Sequence, residues 1–374
     1  MAALLSGMYA RGAAAGQLTD VAWLQAMLDV EGALARALAG VDEIPALAAS
    51  QISEACRAER FDAAALARET ARHATPVVGL VAALREAVPA SAREHVHAGA
   101  TSQDIVDTAL MLVARRALGP LLDDARAAAD ATARLADTHR DTAMIGRTLL
   151  QQALPTTFGL RAAGWLAGID AARATLQTVR EAGLPVQMGG PVGGRSPAVA
   201  ARVAVELGLA EPVLPWATIR LPAAGLATAL GTLAGVLGKV ARDVTLLSSQ
   251  ELGEVAESGE GGSSSAMAHK RNPVAAVSVL ACAKRAPGLV ATVLAAMEQE
   301  HERAAGAWQA EWGTHTELLI LTASATAWAR ELLEGLRVDA GRMAANLERA
   351  ATGSRPQPDG VSRLIDRALE AHRQ

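Results

Sequence analysis

The chain has 374 residues, 51% of them hydrophobic but only 2% aromatic, and a formal charge of −4. Such a core has to be built from Ala, Leu and Val, which suits close-packed helices better than sheets, where β-branched and aromatic side chains concentrate. The slightly acidic balance offers no field for nucleic acid or an anionic membrane, so an anionic substrate must be held by a local group of cations.

The first residues, MAALLSGMYARG, lack a basic segment followed by a long apolar run, so no export signal is expected. Residues 20–39 follow as the first strong helix, with Thr19 or Asp20 as N-cap and Leu24, Leu28, Leu34 and Leu38 on one face. Shorter helices are expected up to about residue 90, and from Asp104 helical patterning runs with few breaks to about residue 350. Breaks are expected at 184–197 (LPVQMGGPVGGRSP), at 211–222 with three prolines, at 258–265, and at 353–360 (GSRPQPDG), where a linker precedes a short amphipathic helix over 361–372. No strand series or internal repeat stands out. The expected domains are an N-terminal helical domain (1–103), a central long-helix domain (104–350) and a linker with a terminal helix (351–374). Cys56 and Cys282 form neither a disulfide framework nor a metal spacing, as suits a reducing cytoplasm.

Residues 221–238 carry no charge and could pass for a membrane span. Leu226, Leu230, Leu233, Leu237, Val240, Val244 and Leu247, however, alternate spacings of four and three straight through Lys239, Arg242 and Asp243, which a span would not do. The segment reads as a soluble bundle helix. Small residues flank its seam (Gly225, Ala229, Gly231, Ala234, Gly235 and Gly238), so neighbouring helices can approach closely. A monomeric bundle would explain this too, but helices of about thirty residues span about 45 Å, longer than a domain of this size needs. Oligomeric bundling is therefore expected.

Five segments carry candidate chemistry. GGSSSAMAHKRNP (261–273) sets glycines, three serines, Lys270, Arg271 and Asn272 between two apolar-periodic segments: a mobile backbone, hydroxyls for proton transfer, and groups that hold carboxylates. HVHAGATSQDIVDT (95–108) places small and hydroxyl residues at a helix start, the makings of an anion pocket. His95 reads as solvated; a His-x-His metal pair with His97 lacks a third ligand. MIGRTLLQQALPTTFG (144–159), PWATIR (215–220) and ERAAGAWQAEWGTHTE (302–317) complete the set. Trp308 and Trp312, four apart, read first as core. Phosphate-loop, HExxH, GxSxG and dinucleotide templates all fail.

These segments together resemble the fumarase/aspartase superfamily, whose members break or form a bond β to a carboxylate. The loop is similar to GSSxMPxKxNP; aligned on Met267, the paired serines are Ser264 and Ser265, with Ser263 at the family's glycine and Ala268 at its proline. HAGATSQDIVDTA is similar to the first superfamily motif, which implies substrate contacts from Thr101, Ser102 and Gln103, with His97 nearby. The 144–159 segment resembles GRTHxQxAxPTTFG. Arg147, Thr148 and Gln151 keep their places, while Leu149 stands where the histidine would be. WQAEW resembles the bacterial 3-carboxy-cis,cis-muconate cycloisomerases more than the adenylosuccinate lyases. PWATIR is similar to their PWHTxR, with Ala217 replacing the histidine and Arg220 transferring as a carboxylate contact.

The resemblance implies an all-α fold with a long central bundle, a homotetramer whose active sites are each assembled from three chains, a shortened C-terminal lobe, and no cofactor or metal. It implies Ser265 as the base removing a proton α to a carboxylate, close to Lys270 and loop N–H groups. Lys270 and Asn272 grip the carboxylate that takes up charge, and Arg147 and Arg303 bind the polyanion. The histidine absent at Leu149 is the usual acid for an amine leaving group. A carboxylate leaves, or attacks, as a stable anion and needs none, so the site suits muconate lactonisation in protocatechuate breakdown. Adenylosuccinate- or argininosuccinate-type cleavage, and a catalytically silent homologue, remain the alternatives.

Overall fold

The computed structural model describes residues 3–258, 262–267, 269–350 and 360–374. A short helix α1 (Ala3–Ser6) and two 3-10 turns lead into α2 (Asp20–Ala39), where Thr19 is the N-cap and its hydroxyl accepts from the Ala22 N–H at 3.2 Å. Leu24, Leu28, Leu34 and Leu38 are all buried, as the pattern requires. Helices α3 (Ala46–Ala55), α4 (Ala63–His73) and α5 (Val77–Ala87) finish the N-terminal part.

The centre is a bundle of five helices that run alternately up and down: α6 (Ser102–Thr138), α7 (Phe158–Ala182), α9 (Leu221–Leu247), α10 (Val274–Ala295) and α11 (Ala307–Glu334), with α8 (Pro197–Leu207) packed on α2. The chain is all-α in class, as expected. The seam of α9 is fully inside: Leu226, Leu230, Leu233 and Leu237 are 0% exposed. Both α9 and α10 are long and apolar enough to cross a membrane by length and composition, but the buried stripe of α9 faces its neighbours in the bundle. Its small flanks serve the contact with α10. A Cβ on Gly231 would lie 2.6 Å from Val290 Cγ2, and one on Gly238 2.7 Å from Ala283 Cβ. Gly225 and Gly235 instead face open space.

The structure departs from the expected run of helix from Asp104 to about residue 350. Helix does not run on between α6 and α7: β1 (Ala143–Thr148) and β2 (Gln151–Thr157) form an antiparallel hairpin with a bulge after Ile145. Its two-residue turn is Leu149–Leu150, both left-handed (φ 50° and 65°). Such turns normally carry Asn-Gly, so the sequence gives no turn signal there. A second small pair, β3 (Val255–Glu257) with β4 (Leu336–Val338), ties the loop after α9 to the end of α11. Then α12 (Ala340–Arg349) packs on β1, and α13 (Val361–Arg373) lies on α7 and α6. The linker expected at 353–360 falls outside the described residues except for Gly360.

Candidate active site

The antiparallel bundle has two chemically distinct ends. At one end lie the start of α6, the 184–220 segment, and the turn from α10 into α11. Thr101, the N-cap of α6, and Ser102, its first residue, are half-buried. Asp104 is fully buried, and its carboxylate accepts from the N–H groups of Gly189 and Gly190 (both 2.9 Å), of Thr101 (3.1 Å) and from Gln187 Nε2 (3.2 Å). Burial raises its pKa; the backbone donors work against that. Asp104 thus folds the Gly-rich 184–197 loop onto the helix start.

Gln103 is buried, donating to Asp107 Oδ2 (3.0 Å) and the Ala217 carbonyl (2.6 Å), while its Oε1 accepts from Arg303 Nη1 (2.7 Å). The other guanidinium arm of Arg303 donates to the carbonyls of Gly190 (2.6 Å) and Pro191 (3.2 Å). Arg303 lines a cavity of about 170 Å³ together with Gly190, Ala217, Thr218 and His301. His97 stands at the same helix start in a left-handed conformation (φ 62°), its Nδ1 2.6 Å from Glu31 Oε1.

Beneath this surface is a buried ion cluster that the sequence did not reveal. Arg220, read as a substrate contact, is 1% exposed and fully engaged: Nη1 and Nη2 on Asp107 (2.6 and 3.1 Å), Nε and Nη2 on Glu311 (3.1 and 2.5 Å). It is structural, because two carboxylates already satisfy the donors a substrate would need. Trp308 belongs to the same cluster, its indole N–H 2.9 Å from Asp107 Oδ1, and stacks edge-on against Trp312. Glu31 falls on an apolar helix face and Glu311 lies between Trp308 and Trp312, and a lone acid in such company is the signal that would have found them; Asp107, one turn from Gln103 and Asp104, carries no such signal.

The opposite end holds the other two motifs. Arg147 makes a two-point ion pair with Glu254 (Nη1–Oε2 2.9 Å, Nη2–Oε1 2.7 Å), and Asn346 of α12 donates to the same carboxylate (2.8 Å). Thr148 and Gln151 pair across the hairpin next to its turn, and Leu149, 96% exposed, is the tip. The serine loop is closed at its neck. The Asn272 backbone N–H (2.8 Å) and its Nδ2 (3.1 Å) both donate to the Gly262 carbonyl, and Ser263 bridges Arg271. Gly262 has φ +86°, and a Cβ there would sit 2.2 Å from the Asn272 carbonyl oxygen, so only glycine closes this neck. Within the loop the Ser264 hydroxyl accepts from the N–H groups of Ala266 (3.3 Å) and Met267 (3.1 Å); Ser265 and Lys270 are exposed. Ala268 lies outside the described residues.

The loop enters α10 and Arg303 follows it, so the 22 residues of α10 set the two ends about 33 Å apart. Thr101, Ser102, Gln103, His97 and Arg303 come together; Ser264, Ser265, Lys270 and Asn272 stand at the far end with Arg147, Thr148 and Gln151.

Residues 10–288 match the lyase family. The chain belongs to that family, within the fumarase/aspartase superfamily. It is 47% identical over 356 residues to a 3-carboxy-cis,cis-muconate cycloisomerase of Bradyrhizobium diazoefficiens, covering 92% of this chain and 79% of the relative. It is 45% identical to a nitrosuccinate lyase of Streptomyces davaonensis, covering 92% of this chain and 77% of that one. The crystal structure of the 3-carboxy-cis,cis-muconate lactonizing enzyme of Pseudomonas putida superposes with a TM-score of 0.87 at 38% identity, covering 98% of this chain and 87% of that one. The superfamily fold anticipated from the motifs is therefore the fold found.

Proposed function

We propose that this lyase-family chain is a cycloisomerase that converts 3-carboxy-cis,cis-muconate to 4-carboxymuconolactone, acting in the cytoplasm in aromatic-acid breakdown. The observation that carries the reading is Leu149. The second motif retains Arg147, Thr148 and Gln151 but offers no acid at its tip, while the serine loop is retained. One carboxylate of the substrate adds to the double bond, forming the C–O bond. The π electron pair moves onto the carbon α to another carboxylate and is held as an aci-carboxylate by cations and N–H donors. The Ser265 hydroxyl then delivers a proton to that carbon and is reprotonated from solvent; in reverse, its alkoxide is the base. Nothing in this sequence requires a second acid.

Ser265, Lys270 and Asn272 at one end, and Thr101, Ser102 and Arg303 at the other, meet only if different copies contribute. A homotetramer packed antiparallel along the bundle supplies that, each site drawing on three chains. The outer groove between α7 and α9, about 740 Å³ and lined by Leu160, Gly164, Gly168, Gly235 and Val236, is the face such packing would cover. Gln103 and Arg147 serve this site by holding Arg303 and the hairpin in place.

Loss of diene absorbance from 3-carboxymuconate on adding purified protein tests the activity, with adenylosuccinate run alongside. No loss of absorbance would overturn it. Mixing Ser265→Ala with Arg303→Met protein tests the shared site: refolded mixtures recover turnover if different chains complete one site, and stay inactive if each chain works alone. A second reading rests on the same leucine. Nitrite also leaves as a stable anion, so its elimination from nitrosuccinate, the compound in the Streptomyces relative's name, is the competing activity, read as fumarate formation.

A further inference from the structure

Glu31 lies in the middle of α2, 1% exposed, on the stripe that buries Leu28, Leu34 and Leu38. A carboxylate there carries a heavy desolvation cost. Among the described residues its Oε2 has no hydrogen-bond partner and its Oε1 has one, the His97 ring nitrogen at 2.6 Å. An apolar residue at position 31 would pack the helix better, so the packing of α2 does not account for the acid.

His97 supplies the account. Its side chain retains 15% exposure while Glu31 retains none, so the ring is the member of the pair that reaches the outside. The backbone holds it left-handed, with its carbonyl accepting from the Ala100 N–H, at the turn that leads to Thr101 and Ser102. With Nδ1 fixed on Glu31, the second ring nitrogen is the atom left to present. A neutral imidazole bonded this way offers an acceptor at Nε2; only the cation offers a donor there.

We propose that Glu31 is a positioning residue that keeps His97 as an imidazolium whose Nε2–H binds a carboxylate of the substrate, making His97 a second cation at the Arg303 end of the site. This rests on the cycloisomerase reading for the identity of the substrate, though not for the pairing itself. The groups facing His97 are Glu31 from α2, Asp104 from α6 and Arg85 from α5, whose guanidinium also reaches the Val96 carbonyl (3.4 Å). Burial alone would lower the His97 pKa. The Glu31 charge and hydrogen bond, supported by Asp104 and opposed by Arg85, outweigh burial and leave it raised. The sign is the one that carboxylate binding needs: the cation persists to higher pH than in a free histidine.

Glu31→Gln in the full chain keeps volume and an acceptor for Nδ1–H while removing the charge. Three readouts follow. The His97 ring resonance, assigned by its loss in His97→Asn, should titrate at lower pH in Glu31→Gln than in wild type. Binding of propane-1,2,3-tricarboxylate by calorimetry near neutral pH should weaken about tenfold or more in Glu31→Gln and in His97→Asn, with no further loss in the double variant. In turnover, KM should rise more than kcat falls, and the alkaline limb of 1/KM should move to lower pH. A purely structural Glu31 would leave the titration where it was. An unchanged His97 titration, or full tricarboxylate affinity in either single variant, would overturn the proposal. Should Glu31→Gln not fold, the His97→Asn affinity decides alone. The resonance and binding readouts need no turnover, so they stand apart from any failure of the proposed reaction.

Discussion

Arg147 and Glu254 face each other as a two-point ion pair in which the carboxylate is wholly buried and the guanidinium nearly so, at 0% and 15% side-chain exposure. The pair fastens β1 to the turn after α9, and Asn346 fastens α12 to the same carboxylate. Removing the arginine leaves a buried charge with one amide donor.

Arg147→Met is therefore expected to lose about 3 kcal/mol in urea unfolding, the low end for a broken buried pair because Arg147 keeps some solvent contact. Turnover should fall with it as the hairpin loosens. An Arg147 that only gripped substrate would raise KM and leave the unfolding midpoint where it was. That pattern would return Arg147 to the role its motif implies.

In the serine loop, Ser264 accepts from two backbone N–H groups and Ser265 from none among the described residues. Ser265→Ala should abolish turnover with little change in thermal midpoint. Ser264→Ala should leave measurable turnover and loosen the turn, costing about 1 kcal/mol for a lost hydroxyl acceptor. A more damaging Ser264→Ala would shift the motif alignment by one residue and make Ser264 the proton carrier.

Much of this was legible in the residues. The Thr19 cap, the α9 seam and the loop around Gly262 rest on local chemistry, and local chemistry is what a sequence displays. The hairpin was not legible, because a two-leucine turn with both residues left-handed contradicts turn preference and is sustained by the strands on either side. The fate of Arg220 was equally hidden: a motif names the arginine, but Asp107 and Glu311 reach it from 113 and 91 residues away. Glu31 was legible in principle as an acid on an apolar stripe.

His315 of α11 is 0% exposed, and neither ring nitrogen has a hydrogen-bond partner among the described residues. Burial, with the Arg220 charge adding to it, pushes its pKa down to about 4. The folded protein keeps the ring neutral while the unfolded chain takes up a proton below about pH 6.5. Its contribution is thus complete above about 6.5 and drains as pH falls toward 4, by about 3 kcal/mol in all. His315→Met, of similar volume and with no proton to bind, should flatten the stability profile over that window and match or exceed wild type at pH 8. An unchanged acid slope, measured by urea unfolding at successive pH values, would place the acid sensitivity elsewhere.

Leu149 gives the sharpest test of the chemistry. Within one chain it is almost wholly exposed at a left-handed turn position, where histidine is better tolerated than leucine. Leu149→His should therefore leave protomer stability unchanged or slightly higher, and any change in activity reports on the proposed shared site. Lactonisation should not improve, because a carboxylate with a pKa near ~4 attacks and leaves without a proton at neutral pH. It should fall, because in the proposed shared site a polar ring replaces an apolar surface against the substrate. The wild type should cleave adenylosuccinate negligibly, since the departing nitrogen has no acid at this position. His97 and His269 are the histidines that could defeat the inference by supplying one. Measurable adenylosuccinate cleavage by wild type, or faster lactonisation by Leu149→His, would mean that the missing histidine was not what selected the reaction.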